Sequence, residues 1–120
     1  MFLIIDDDHE IREALVEFLA LRGFSGRTAE NGREALRLLR ARLKLPKLVL
    51  LDLNMPILDG WGFLLERSKD PRLLTVPVIV VSASLTVEER ARKAGAQAVM
   101  RKPLEPIDLL SVIEPILNAA

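Results

Sequence analysis

The sequence has no cysteine and no tyrosine, a single tryptophan and a single histidine. Without cysteine there is no disulfide framework and no thiol redox chemistry. The scarcity of aromatics, 4% of the chain, counts against a ligand face built from stacked rings. No apolar run approaches the roughly 20 residues of a membrane-spanning helix. The N-terminus, MFLIIDDD, has no basic region before its short apolar stretch and does not read as a signal peptide. An excess of one charge is also missing, since 17 basic residues balance 17 acidic ones. Direct nucleic-acid binding, which needs clustered basic charge, is not expected. Membrane insertion is not expected either, and a cytoplasmic protein is the default.

What is present is apolar: half of the 120 residues are hydrophobic, enough for one domain with a continuous core. Apolar runs alternate with amphipathic stretches from end to end. Phe2–Ile5 reads as a buried strand. Ile11, Ala14, Leu15, Phe18 and Leu19 then recur at helical spacing, and Gly23 supplies a stop. Residues 24–28 form a weaker strand, suited to an edge. Asn31 with Glu34 resembles a capping box, opening a helix that turns Ala35, Leu36, Leu39 and Leu43 inward. Residues 48–51 are a third strand, residues 61–68 a helix, and residues 78–81 a β-branched fourth strand. Thr86 with Glu89 reads as a second capping box, for a short helix ending near Gly95. Ala98–Arg101 is a fifth strand. Pro106 fits the first turn of a last helix burying Ile107, Leu110, Ile113 and Leu117, which Pro115 should kink or shorten. Five strands alternating with five helices imply right-handed crossovers and a parallel sheet covered on both faces.

The chemistry gathers where these strands end. Asp6, Asp7 and Asp8 follow the first strand, Asp52 the third, Ser82 the fourth, and Lys102 with Pro103 the fifth. In open parallel sheets ligands bind outside the carboxyl ends of the strands. By itself Asp52 reads equally well as a turn or helix cap; its neighbours decide otherwise. Two carboxylates about 5 Å apart repel by roughly 3 kcal/mol at an effective dielectric near 20. A cation relieves that repulsion, and an all-oxygen site without cysteine suits Mg²⁺, with Mn²⁺ as a substitute. Lys102 adds a fixed positive charge and Ser82 a hydroxyl donor. Together they would receive a phosphoryl group on Asp52 after in-line attack by its carboxylate. Asp8 reads as a helix N-cap, His9 as a first-turn surface residue, and Asp59 with Gly60 as a turn into the next helix. Trp61 packs there or stays partly exposed.

On these residues the chain resembles a receiver domain of a two-component response regulator. Such domains carry an acidic pair after the first strand, here in IIDDDHEIR, and D-x-x-M-P-x-x-D-G after the third, here Asp52 to Gly60. They carry Ser or Thr before a small residue after the fourth strand, here Ser82-Ala83, and Lys-Pro after the fifth, here Lys102-Pro103. The resemblance spans essentially the whole chain. It implies a flavodoxin-like (βα)5 fold, a five-stranded parallel α/β sheet in the order 2-1-3-4-5. It implies one receiver domain over residues 1–120, with no output domain in this chain. It implies phosphorylation of Asp52, with Mg²⁺ held by Asp7, Asp52 and the Asn54 backbone carbonyl, and by Asp6 through water. The Lys102–Pro103 peptide is expected to be cis. The implied partners are a sensor histidine kinase or phosphotransfer protein and a downstream effector or fused output domain. Arg12, Val16, Leu104, Glu105 and Pro106 are candidates for reading the kinase. A homodimer through the face of the fourth helix, fifth strand and fifth helix is also implied, and no separate substrate turnover.

One departure stands out. Three positions before the lysine many receivers have Tyr or Phe, whose ring turns inward on phosphorylation; this chain has Val99. Coupling then runs through the backbone after Ser82 and the following helix, or it is weak, leaving a non-switching docking module. Leu104 replaces a frequent Phe, a packing change. Asp6-x-Asp8 also resembles the opening of haloacid-dehalogenase-like phosphohydrolases, but the usual Thr or Val is Glu10 and no acidic motif follows Lys102 beyond Glu105. A flavin protein of the same architecture is disfavoured, because three aspartates in the first loop would repel its phosphate.

Overall fold

The computed structural model describes residues 1–41 and 44–119. The strands are β1 (Phe2–Ile5), β2 (Gly26–Ala29), β3 (Leu48–Asp52), β4 (Val78–Ser82) and β5 (Ala98–Arg101). The helices are α1 (His9–Ala20), α2 (Gly32–Ala41), α3 (Gly60–Ser68), α4 (Glu88–Lys93) and α5 (Pro106–Leu117), with a 3-10 turn at Leu73–Thr75. All strands pair in parallel, in the order β2-β1-β3-β4-β5. This is the flavodoxin-like order that the sequence implies.

The central strands β1, β3 and β4 are buried along their whole length. Their alternate residues therefore feed two cores. Leu3, Ile5, Leu51 and Val80 pack with Leu36 and Leu39 of α2 and Phe63 and Leu64 of α3. Phe2, Ile4, Leu50 and Ile79 pack with Leu19 of α1 and Leu109, Ile113 and Leu117 of α5. Phe2 and Phe63 have no exposed surface, and each fully buried large side chain contributes about 1.5–3 kcal/mol of apolar burial. On α3 the same inward face carries Arg67, only 4% exposed. It donates to the carbonyls of Val76 at 2.7 Å and Leu74 at 3.4 Å, tying the end of α3 to the approach to β4. Burial pushes its pKa below the usual guanidinium value.

Local signals decide most helix ends. Asp8 caps α1, accepting from the amides of Glu10 at 3.0 Å and Ile11 at 3.2 Å. Gly23 and Gly95 take positive φ after α1 and α4, where a side chain would be strained. Asn31 accepts from the Glu34 amide at 2.8 Å, as a cap should. Ala35, Leu36 and Leu39 are buried as expected, while Leu43 lies outside the described residues.

The structure corrects several expectations. The β2 run starts at Gly26, because the Phe24 amide closes the end of α1 on the Leu19 carbonyl at 3.0 Å. Thr86 does not cap α4. Its hydroxyl lies 3.2 Å from Ser84 Oγ, and the helix begins two residues later behind Val87, without a side-chain cap. Pro115 does not end α5, which runs to Leu117. A proline in the last turn forfeits one backbone bond, and Ile113 and Leu117 are buried on either side of it. Ile107 is 81% exposed rather than buried, and Leu109 takes its place in the core. Ala14 is exposed too.

Ile57, in the loop after β3, has φ 70° and is 72% exposed. A β-branched residue there is strained and gains little burial in return. Ile57→Asn should therefore stabilise the chain by about 0.5–1 kcal/mol, read as a higher urea midpoint with unchanged slope.

Candidate functional site

The sheet register sets the site. Ile5 lies opposite Leu51, Asp52 opposite Val81 and Ser82 opposite Arg101, so four strands stop at nearly the same level. The next residue after β1 is Asp6, whose amide still pairs with the Ala29 carbonyl at 3.1 Å. The next residue after β5 is Lys102, whose amide pairs with the Ser82 carbonyl at 3.0 Å. Residues far apart in sequence thus meet on one edge.

Asp6, Asp7 and Asp52 each turn a carboxylate oxygen into this edge, all within 4.8 Å of one another. Asp6 and Asp52 are buried, at 5% and 6% exposure, while Asp7 is exposed. Lys102 Nζ lies 3.3 Å from Asp52 Oδ1 and 3.7 Å from Asp6 Oδ2. One ammonium therefore faces three carboxylates, and a negative charge is left over. Burial pushes the Asp6 carboxyl above its usual pKa. The Asp8 amide, donating to Asp6 Oδ1 at 2.9 Å, opposes this, as does Lys102, while Asp52 and Asp7 add to it. The donors are all hard oxygens, two of them desolvated, with a deficit of positive charge. That donor set fits a small divalent cation.

The walls hold these groups in place. The Asn54 amide donates to Asp52 Oδ1 at 3.3 Å. Asp59 caps α3 through the Gly62 amide at 2.8 Å, and Gly60 donates to the Leu53 carbonyl at 3.0 Å. A Cβ on Gly60 would come within 2.7 Å of the Asp52 carbonyl oxygen and of Leu53 Cα, so only glycine lets α3 start this close behind Asp52. Ser82 is 4% exposed at the end of β4, and its Oγ accepts from the Ser84 amide at 3.1 Å. The Lys102–Pro103 peptide is cis, as the resemblance implies.

Other residues fall where their roles differ. Asp8 faces α1 as its cap, outside the cluster. His9 is exposed, with Nδ1 3.4 Å from Arg12. Trp61 is half-buried under the Arg90 guanidinium, 3.9 Å from the ring centroid, a cation–π contact. Arg12 does more than the sequence suggests: it donates to the Asp6 carbonyl at 2.6 Å and braces the loop after β1. Spacing along α1 gives no hint of that, because the contact reaches back around the helix end. Val99 sits beside Val80, half-buried against the α2–α3–α4 core.

The model of the response regulator receiver domain family matches residues 2–114. The transcriptional regulatory protein PrrA of Mycobacterium tuberculosis is 36% identical over 119 residues, covering 97% of this chain and 49% of that protein. The probable transcriptional regulator ycf27 of Porphyra purpurea is 37% identical over 120 residues, covering 98% of this chain and 47% of that protein. The chain spans about half the length of these relatives. A putative response regulator from Chloroflexus aurantiacus superposes with a TM-score of 0.88 at 28% identity, covering 98% of this chain and 97% of that one. Fold, strand-end residues and these likenesses agree: the chain belongs to the response regulator receiver domain family of two-component signalling systems.

Proposed function

We propose that Asp52 is the phosphoryl acceptor of this receiver domain. The convergence of Asp6, Asp7 and Lys102 on the buried Asp52 carboxylate carries this reading. An Asp52 oxygen attacks phosphorus in line, and the bond from phosphorus to the donor nitrogen breaks with its electron pair leaving on the imidazole. Mg²⁺, with Mn²⁺ as substitute, would neutralise phosphoryl oxygens when held by Asp7, Asp52 and the Asn54 carbonyl, with Asp6 acting through water. Lys102, already 3.3 Å from Asp52, pairs with another phosphoryl oxygen. Ser82 turns its hydroxyl from acceptor to donor toward the same group. The domain accepts a group rather than turning over a separate substrate.

The donor is a phosphohistidine on a sensor kinase or phosphotransfer protein. A cavity of about 500 Å³ beside the site, lined by Ile11, Ala14, Leu15, Ala83 and Leu104 around Lys102, supports docking of an apolar helix there. Incubation with Mg²⁺ and a small acyl phosphate should give one acid-stable, base-labile adduct. Asp52→Asn should abolish it, and an adduct that survives this substitution refutes the assignment.

The relatives are described as transcriptional regulators, so a downstream effector or attached output domain receives the signal. Val99 cannot rotate a ring between two states, having one stiff torsion. The route from Ser82 runs instead through its hydrogen bond with Ser84 and the Ser84–Thr86 contact toward α4. Phosphorylation should change amide hydrogen exchange over residues 82–102. Exchange that stays the same there would favour the docking-module reading.

A further inference from the structure

Charge is balanced over the whole chain but not along it. Residues 6–17 carry six acids against one arginine, and residues 32–47 carry six bases against one acid. Part of the first group serves the phosphorylation site. Glu10, Glu13 and Glu17 do not: they are exposed on α1 and spaced so that all three fall within a stripe about 60° wide. Arg33, Arg37 and Arg40 are exposed on α2 and form a stripe of the same width. Among the described residues only Arg40 of these six has an ion pair, a long one to Glu66 at 3.9 Å. Apart from that pair, the charge of the two stripes is unspent.

Their spacings also correspond. The acids follow one another at three and then four residues; the arginines, read backwards from Arg40, do the same. Laid antiparallel, Glu10 meets Arg40, Glu13 meets Arg37 and Glu17 meets Arg33, each stripe being about 10.5 Å long. The match continues in apolar surface. One turn beyond Glu17 stands Leu21, 81% exposed. Beyond Arg33, the Gly32 amide is tied to the Leu58 carbonyl at 2.9 Å, and next to Leu58 stands Ile57, 72% exposed. The arginines line a groove of about 710 Å³ between α2 and α3, with Leu36, Leu58 and Glu66 also lining it, the last already paired with Arg40 and Lys69.

We propose that the acidic face of α1 from one copy of this chain docks in the arginine-lined α2–α3 groove of another. The zero net charge leaves no overall repulsion between copies. Helix α1 packs with α5 on one side of the sheet and α2 with α3 on the other. The contact is therefore heterologous and does not close on itself as a two-fold dimer would. Each copy offers one face and one groove, so association is head to tail and continues past a dimer, to a ring where the rotation closes and to an open chain where it does not. It leaves the α4–β5–α5 face free.

Sedimentation velocity on this chain at low ionic strength tests the proposal. The weight-average sedimentation coefficient should climb with concentration past the dimer value and fall back in about 0.5 M salt, where the screening length is a few ångströms. Arg33→Glu with Arg37→Glu should hold the protein monomeric, as should Glu13→Arg with Glu17→Arg. An equimolar mixture of the two double variants should associate again, since each then carries the complement of the other. All four positions are exposed, and circular dichroism checks that both variants fold. A wild-type chain that stays monomeric, growth that stops at a dimer, association that survives either reversal, or a mixture that remains monomeric would each overturn the proposal.

Discussion

Mg²⁺ at about a hundred times its dissociation constant should stabilise the chain by about 2.7 kcal/mol, through mass action on the folded state. For a domain of this size that is a rise of roughly 10 °C in melting temperature. The unfolded chain has no comparable site, because Asp6 and Asp52 are brought together only by the pairing of β1 with β3. In the folded chain three carboxylates share one lysine, so a divalent cation held there would remove a repulsion that folding creates. The pH dependence has a definite sign. Asp6 has a folded pKa raised above its unfolded value, chiefly by burial. The folded state therefore binds its proton more readily, and this group's destabilisation is present above the folded pKa. It fades as pH falls and is gone below the unfolded value. Thermal melts with Mg²⁺ and with a chelator, repeated on Asp7→Asn, check the argument. A melting temperature indifferent to Mg²⁺ at neutral pH would refute the cation site.

Gly60→Val should cost stability at the upper end of the about 1–3 kcal/mol typical of overpacking, and should also slow phosphorylation of Asp52. The clash is with backbone: the Asp52 carbonyl oxygen and Leu53 Cα, each 2.7 Å from where a Cβ would stand. Neither can swing aside as a side chain could. Relief requires α3 to move off the end of β3, which shifts Phe63, wholly buried, and the Asp59 cap together. Urea unfolding and the rate of labelling by an acyl phosphate read the two effects. A variant with wild-type stability and rate would show that α3 is not held against Asp52 by this contact.

Much of this was legible in the order of residues. Strand runs of β-branched and leucine residues, Gly23, Asn31 and Asp8 each act within a few positions, and each does so in the structure as its local chemistry predicts. The errors have one physical origin. Thr86 has the right spacing to Glu89 for a cap on α4, but its hydroxyl turns back to Ser84. Ile107 and Leu109 are both apolar residues near the start of α5, and the pattern favours the wrong one. Two positions apart they point about 200° apart around the helix, so spacing offers two apolar faces and the neighbouring layer decides which is covered.

The alternation of five strands and five helices, and the acids, hydroxyl and lysine that follow the strand ends, can be read directly from the order of residues. Those features depend on period and adjacency, which a linear chain records directly. That Asp6 is buried while its neighbour Asp7 is not, and that Lys102 spans Asp6 and Asp52, emerges when the layers pack in three dimensions. The same packing places Arg67 in the interior and Arg90 on Trp61. Burial and distance between remote residues follow from strand order and register, and from which face of the sheet each helix covers, and those are set by packing the whole chain at once.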